Sequence, residues 1–319
     1  MRPCCVLLLG PTLFVFLRPP PLDYNLIMPF GRRVTFSVLR CLCLSASSVL
    51  LFFPAVAQKP PRSSAGRTLV LPRTIVSGER ATLAVLDGNG RLTPGAKVVF
   101  SNGDRLTTDA TGRALFVAPL NLSVIRGSIA GRQGGTAVTI LSPIATAGPA
   151  MQVTSIPEIA SLTDRFEIDG GGFCGDADAN YITISGKPAF VLASSPTSLV
   201  VLPPADLQPG RASVDLSCAK HYGPPLEVVF VALELEADSS PLKPGVHRQL
   251  TVQVRGTHER IKLEARNLAP DVAELTGGNP ARVFSSGGAE NSAYFEIVGR
   301  KRGSFQISIR LLTPSTAPK

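Results

Sequence analysis

The sequence predicts an all-β protein, three antiparallel β-sandwiches in tandem behind an N-terminal export leader. Three observations carry this. Residues 166–218, from FEIDGGGF to RASVDLSC, alternate short period-2 apolar runs with Gly, Pro, Ser and Asp turns, the pattern of antiparallel strands that bury one face. Gly 29 and Pro 28 in 319 residues suit many short strands joined by tight turns. Finally, 44% hydrophobic against 17% charged residues is the composition of a chain that buries cores.

The leader is read from charge and apolarity. Met28 opens MPFGRRVTFSVLRCLCLSASSVLLFFPAVAQ, with Arg32, Arg33 and Arg40 as a cationic start and an apolar run that ends at Pro54. Ala55-Val56-Ala57 is then a small-residue cleavage site that places the mature start at Gln58. The run from Cys41 to Phe53 carries three serines and falls short of the roughly 20 apolar residues that a membrane-spanning helix needs. Residues 1–57 are therefore expected to be leader and signal peptide, with Met28 as the true start. They contain five arginines and one acid, so the +9 of the whole chain falls to 27 basic against 22 acidic residues, +5, without them. That mild surplus argues against nucleic acid as a partner.

Residues 58–67 form a polar, Pro- and Ser-rich linker. From 68 to 142, strand candidates ATLAVLD, AKVVFSN, RALFVAP, LSVIRGSI and GTAVTIL alternate with the turns DGNG, TPG, SNGD and TDATG. The ordered motifs Asp87–Gly90, Pro94–Val98 and Thr108–Ala114 resemble bacterial Ig-like domains of the invasin type. The resemblance implies an Ig-like sandwich of about 75 residues.

After a small-residue linker at 143–151, residues 152–231 resemble the IPT/TIG family of Ig-like domains. The residues that carry this are Pro157, Ile159, Phe166–Gly170, Gly172-Phe173, Ile182, Ile184, Gly186–Ala189, Thr197–Val201, Pro203-Pro204 and Pro209-Gly210. The resemblance implies a module that spaces, stiffens or binds, with no catalytic signature. Cys174 and Cys218 are the two cysteines left after the leader. In an exported chain such a pair most simply forms a disulfide; two free buried thiols or pairing with another chain are the alternatives.

LEVVFVALELEAD runs without a linker into residues 232–312, read as a third Ig-like sandwich stiffly coupled to the second. Leu250, Val252 and Val254 share one face of a strand, as do Phe305, Ile307, Ile309 and Leu311. Residues 313–319 are a tail.

No chemistry-bearing constellation stands out. GDADAN (175–180) begins like an EF-hand loop, but Tyr181 stands where Gly is needed and no Glu closes twelve residues. His221, His247 and His258 lack zinc-ligand spacing. Glu234 and Glu236 alternate onto one solvated strand face, and Gly170–Gly172 precede no helix or P-loop lysine. Arg300, Lys301 and Arg302 in GRKRG are a hairpin tip and the candidate electrostatic contact for an anionic glycan or headgroup.

The expectation is a secreted, periplasmic or cell-surface, non-enzymatic bacterial protein with no cofactor. It would present Ig-like domains, as a binding or scaffold protein, to a protein partner of the cell envelope, as a monomer with no stable membrane insertion after cleavage. A carbohydrate-binding or adhesion module with a glycan of the envelope as partner is the alternative, although with no Trp and only Tyr181, Tyr222 and Tyr294 after the leader its ring platforms are few; a hydrolase accessory protein is the next. Mass spectrometry of the exported protein is expected to find Gln58 at the N-terminus and a mass two hydrogens below the reduced chain.

Overall fold

The computed structural model describes residues 13–14, 66–120, 122–130, 136–141, 150–236, 240–285 and 291–312. The expected leader and signal peptide apart from residues 13–14, the 58–65 part of the expected first linker and the 313–319 tail lie outside the described residues, as does most of the 143–151 linker. Of residues 1–57, Leu13 and Phe14 are placed, antiparallel to Ile309 and Ser308. Strands dominate, and among the described residues the single helical element is a 3-10 turn at Ala177–Ala179. The fold class is all-β, built of antiparallel Ig-like β-sandwiches, and it follows from three separate apolar cores.

The first core lies between two sheets. One orders Thr68–Val70, Arg80–Leu86 and Arg113–Val117 around the middle strand. The other runs Thr74–Val76, Thr136–Leu141, Val124–Ile129, Lys97–Phe100 and Arg105–Thr107, and its first pair is parallel. Leu83, Val85, Val98, Ile125 and Val138 fill the space between, and Phe100 stacks at 5.1 Å on Phe116. The predicted DGNG and TDATG turns close as expected, with Asp87 and Asp109 each accepting the backbone N–H two residues on.

In the second sandwich Gln152–Ser155, Phe166–Gly171, Ser198–Leu202 and Phe190–Ser194 form one sheet. Lys187–Pro188, Asn180–Ile184, Gly210–Cys218 and the start of Leu226–Glu236 form the other. Phe166 and Phe230 meet edge-to-face at 5.7 Å in the core. The eleven-residue strand Leu226–Glu236 then leaves this sheet and pairs with His247–Arg255 of the third sandwich. Its Val228 and Phe230 enter the second core, while Val231 and Leu233 enter the third. Strand period 2 sends alternate residues to opposite faces, so one strand feeds two interiors. The third sandwich continues through Ser292–Gly299 and Ala273–Leu275, and faces a sheet of Ala281–Phe284, Lys262–Asn267 and Ile307–Leu312.

The first and second sandwiches also meet. Arg80–Leu86 is buried along almost its whole length because its even positions face the second sandwich rather than solvent. Val70, Ala84 and Leu86 pack there on Leu192, Ala193 and Val200, and a bridge at Ser194↔Thr82 joins the two sheets. Most polar groups inside this seam find partners, as burial requires; the hydroxyl of the buried Ser198 has none among the described residues. Thr82 Oγ1 donates to Gly175 O at 2.8 Å and accepts from Ala177 N at 3.1 Å. Ser195 Oγ donates to Thr74 O at 2.6 Å. Arg113, nearly fully buried, bonds Asp178 at 2.6 Å and Val191 O at 3.3 Å and lies 5.1 Å from the Phe190 ring.

A Cβ at Gly175 would sit 1.9 Å from Arg80 O, so an alanine there cannot keep the seam closed. Gly175→Ala is expected to make protease cleavage between the first two sandwiches faster while the second and third stay resistant. Arg113→Ala is expected to cost roughly 2 kcal/mol in chemical denaturation, since it strips partners from a buried face.

Candidate functional site

The second sandwich presents an aromatic face. Tyr181 on Asn180–Ile184 and Tyr222 on the short strand His221–Tyr222 both lie directly opposite Ser217 of the central strand. Residues directly opposite one another share a face, and Arg211, Ser213 and Asp215 of the same strand are exposed on that side. Tyr181 and Tyr222 are 63% and 77% exposed. Two inter-strand spacings set them about 10 Å apart. Between and below them lie the Ser217 hydroxyl and a Thr183–Asp215 pair at 3.5 Å. The arrangement offers two ring platforms with hydroxyl and carboxylate groups between, which suits a flat polar ligand with apolar ring faces.

Local chemistry holds this face in place. Cys174 and Cys218 form a disulfide across 44 residues. Asn180, beside Tyr181, is buried and closes the loop between them: its Nδ2 donates to Cys174 O at 2.8 Å and Asp176 O at 2.9 Å, and its Oδ1 accepts from Cys174 N at 3.0 Å. Cys218 pairs with both Asn180 and His221. The disulfide therefore sits one residue from the row that carries both tyrosines. Asp176 caps the 3-10 turn and Asp178 engages Arg113, so GDADAN is a bracing loop.

A second feature is a polar cleft of roughly 370 Å³, lined by Arg73 of the first sandwich, Asp164, Arg165, Glu167 and Asp169 of the second, and Arg310 of the third. Arg73 meets Glu167 at 3.3 Å and Asp169 at 3.9 Å. Burial pushes the Asp164 carboxyl above its ordinary range, and Arg165 and Arg310 only partly offset this. Burial also raises Glu167, against the pull of Arg73. Arg73 thus serves both Glu167 and Asp169, Arg165 lies 3.9 Å from Asp164, and one buried oxygen of Asp169 has no hydrogen-bond partner among the described residues.

The GRKRG cations are largely balanced. Arg300 bonds Glu274 and Lys301 lies 3.7 Å from Asp271, while Arg302 is exposed beside them. Glu234 is paired with Arg255 and Glu236 accepts from Gln253 at 3.2 Å. His247 contacts Glu296 at 2.9 Å. Among the described residues no group of three His, Cys, Asp or Glu lies together as a metal site, and no helix is long and apolar enough to cross a membrane. The tyrosine face escaped sequence reasoning because 41 residues separate its rings; the signal was that both tyrosines flank turns at the ends of short strands.

No protein-family model matches the chain, and no curated protein matches it. Similar solved structures include a Bacteroides ovatus mixed-linkage glucan utilization locus SGBP-B in complex with a mixed-linkage heptasaccharide, at 14% identity, 75% coverage of this chain, 73% of that one and a TM-score of 0.28. The plexin A4 extracellular region is similar at 9% identity over 79% of this chain and 33% of that one, TM-score 0.29. Surface layer protein SbsC, domains 1–6, is similar at 12% over 78% and 39%, TM-score 0.18. Similarities of this size bear on no residue's role.

Two outcomes are expected. Reducing the disulfide removes a loop constraint worth up to about 4 kcal/mol, measurable as a lower denaturation midpoint in dithiothreitol. Asp164 has its ionised form penalised in the folded state, so it favours folding below the ordinary Asp pKa and loses that contribution as pH rises through the raised value. Thermal melts across pH should therefore show Asp164→Asn more stable than the parent at neutral pH, the gap closing in acid.

Proposed function

We propose that this is an extracytoplasmic, non-enzymatic binding and scaffold protein. The observation that carries this reading is the joining of three sandwiches by a shared strand and a bonded seam, with a disulfide bracing the middle one. A disulfide persists in oxidising compartments, and a stiff body fixes the spacing of what its faces hold. The non-enzymatic part rests on the sequence, in which no catalytic constellation stands out. The likeness of the second sandwich to IPT/TIG modules, and of the first to invasin-type domains, belongs to the same proposal.

Within that reading, a glycan is the ligand class that the tyrosine face favours over a protein strand. Sugar rings offer apolar faces for Tyr181 and Tyr222 and hydroxyls for Ser217 and Asp215. Affinity electrophoresis in gels carrying soluble neutral polysaccharides tests this. Retardation by at least one of them is expected, lost in a Tyr181→Ala/Tyr222→Ala double variant whose melting is unchanged. Migration that no polysaccharide slows would leave a protein partner as the ligand.

A further inference from the structure

The third sandwich carries a second, differently charged face. Its sheet of Ala281–Phe284, Lys262–Asn267 and Ile307–Leu312 sends Leu263, Ala265, Ala281 and Ile309 into the core. The register then sets the outward rows. Lys262 lies between Phe284 and Leu312, Glu264 lies between Arg282 and Arg310, and Arg266 lies beside Ser308. Arg260 reaches over the Phe284 ring at 4.7 Å, with Lys262 at 5.5 Å.

Four cations thus share three short strands, Lys262, Arg266, Arg282 and Arg310, and Arg260 lies two residues before Lys262; all five are exposed. Among the described residues two carboxylates oppose them. Glu264 is 2% exposed beneath Arg282 and Arg310, its Oε1 accepting from Arg282 Nε at 3.2 Å and its Oε2 from Arg310 Nε at 2.7 Å. Burial opposes its ionisation, but the two guanidiniums outweigh that and hold it below the usual Glu range. Asp164 approaches Arg310 from the cleft at the rim.

A structural clamp for Glu264 accounts for Arg282 and Arg310. It does not account for Arg260, Lys262 and Arg266, an excess of three on one sheet when residues 58–319 as a whole carry only +5. Lys262 and Arg266 are each diagonal neighbours of Arg282 and Arg310, about 7–8 Å apart, where like charges repel by about half a kcal/mol even in water. A bound polyanion would turn that repulsion into attraction.

The face is flat, with charges in rows at strand spacing rather than in a groove. Its aromatic ring is already covered by two cations and is not offered to a stacked base. Beyond that ring its apolar side chains, among the described residues, are the half-buried Leu312 and the exposed Leu268 at the far end, too little to wedge into a bilayer. We propose that this face binds an acidic polysaccharide, with carboxylate or sulfate groups of the chain paired to Arg260, Lys262 and Arg266. The proposal goes beyond the reading above, because it concerns a different sandwich and stands whether or not the tyrosine face binds sugar.

Titration calorimetry of the whole exported protein tests it, with polygalacturonate and heparin as probes and uncharged dextran as control. Both acidic polymers are expected to bind at low salt and to weaken as salt rises, with no heat from dextran. Lys262→Gln/Arg266→Gln, which leaves the Glu264 clamp intact, is expected to weaken binding about tenfold, at roughly half to one kcal/mol per lost contact. Arg300→Gln/Lys301→Gln removes the same charge elsewhere and is expected to change affinity less than about twofold, well under 0.5 kcal/mol. Equal loss in both variants would reduce the effect to net charge and overturn the proposal. So would no binding to either acidic polymer, or stronger binding to single-stranded DNA or to phosphatidylglycerol vesicles. A Lys262→Gln single variant, with melting equal to the parent, keeps the comparison decisive if the double variant folds poorly.

Discussion

The strand Leu226–Glu236 is the constraint on which the rest depends. Its even residues Val228 and Phe230 are interior to the second sandwich, and its odd residues Val231 and Leu233 are interior to the third. Because side chains alternate strictly, a shift of one residue would turn both sets toward the wrong side at once. The register is therefore specified twice, once by each core. Gly256 adds a steric check at the same junction: its φ of +100° favours glycine, and a Cβ there would lie 2.4 Å from Phe230 O. A hinge between these two sandwiches would have to break backbone pairing and open apolar cores together.

The first sandwich is held by different means. Its seam combines a small apolar cluster with buried hydroxyls and one buried guanidinium. Removing any one polar partner leaves another unsatisfied, so the seam is selective about geometry more than it is strong. Thr82 and Ser194 converge on one carbonyl, that of Gly175. The loop that contains it also contains Cys174 and ends at Tyr181. Disulfide, seam and tyrosine face are consequently linked through a stretch of eight residues, and a disturbance of one reaches the others.

Much of this was legible in the sequence, and the exceptions have physical causes. Alternation in RASVDLSC and HRQLTVQVR, with Gly-bearing turns between, identifies strands and their buried faces. The absence of any break in LEVVFVALELEAD points to a strand common to two sandwiches. The seam was not anticipated, although ATLAVL, FVLAS and SLVVL lack alternation, which is how strands buried on both faces read. The bond from Arg113 to the exposed Asp178 was not legible because the two stand 65 positions apart. The two tyrosines and the five cations are likewise scattered along the chain, and only strand register brings each set onto one face. Residue type announces a core position; it does not announce which exposed residues are neighbours.

Coupling through the shared strand is the central claim, and amide hydrogen exchange measures it most directly. Opening of a joint unit exposes all its hydrogen-bonded amides with one free energy. Amides of residues 228–235 are expected to exchange with a single free energy, as slow as the slowest in either sandwich, and to respond together to denaturant. Two separate classes, with 226–230 following the second sandwich and 232–236 opening earlier with the third, would contradict it.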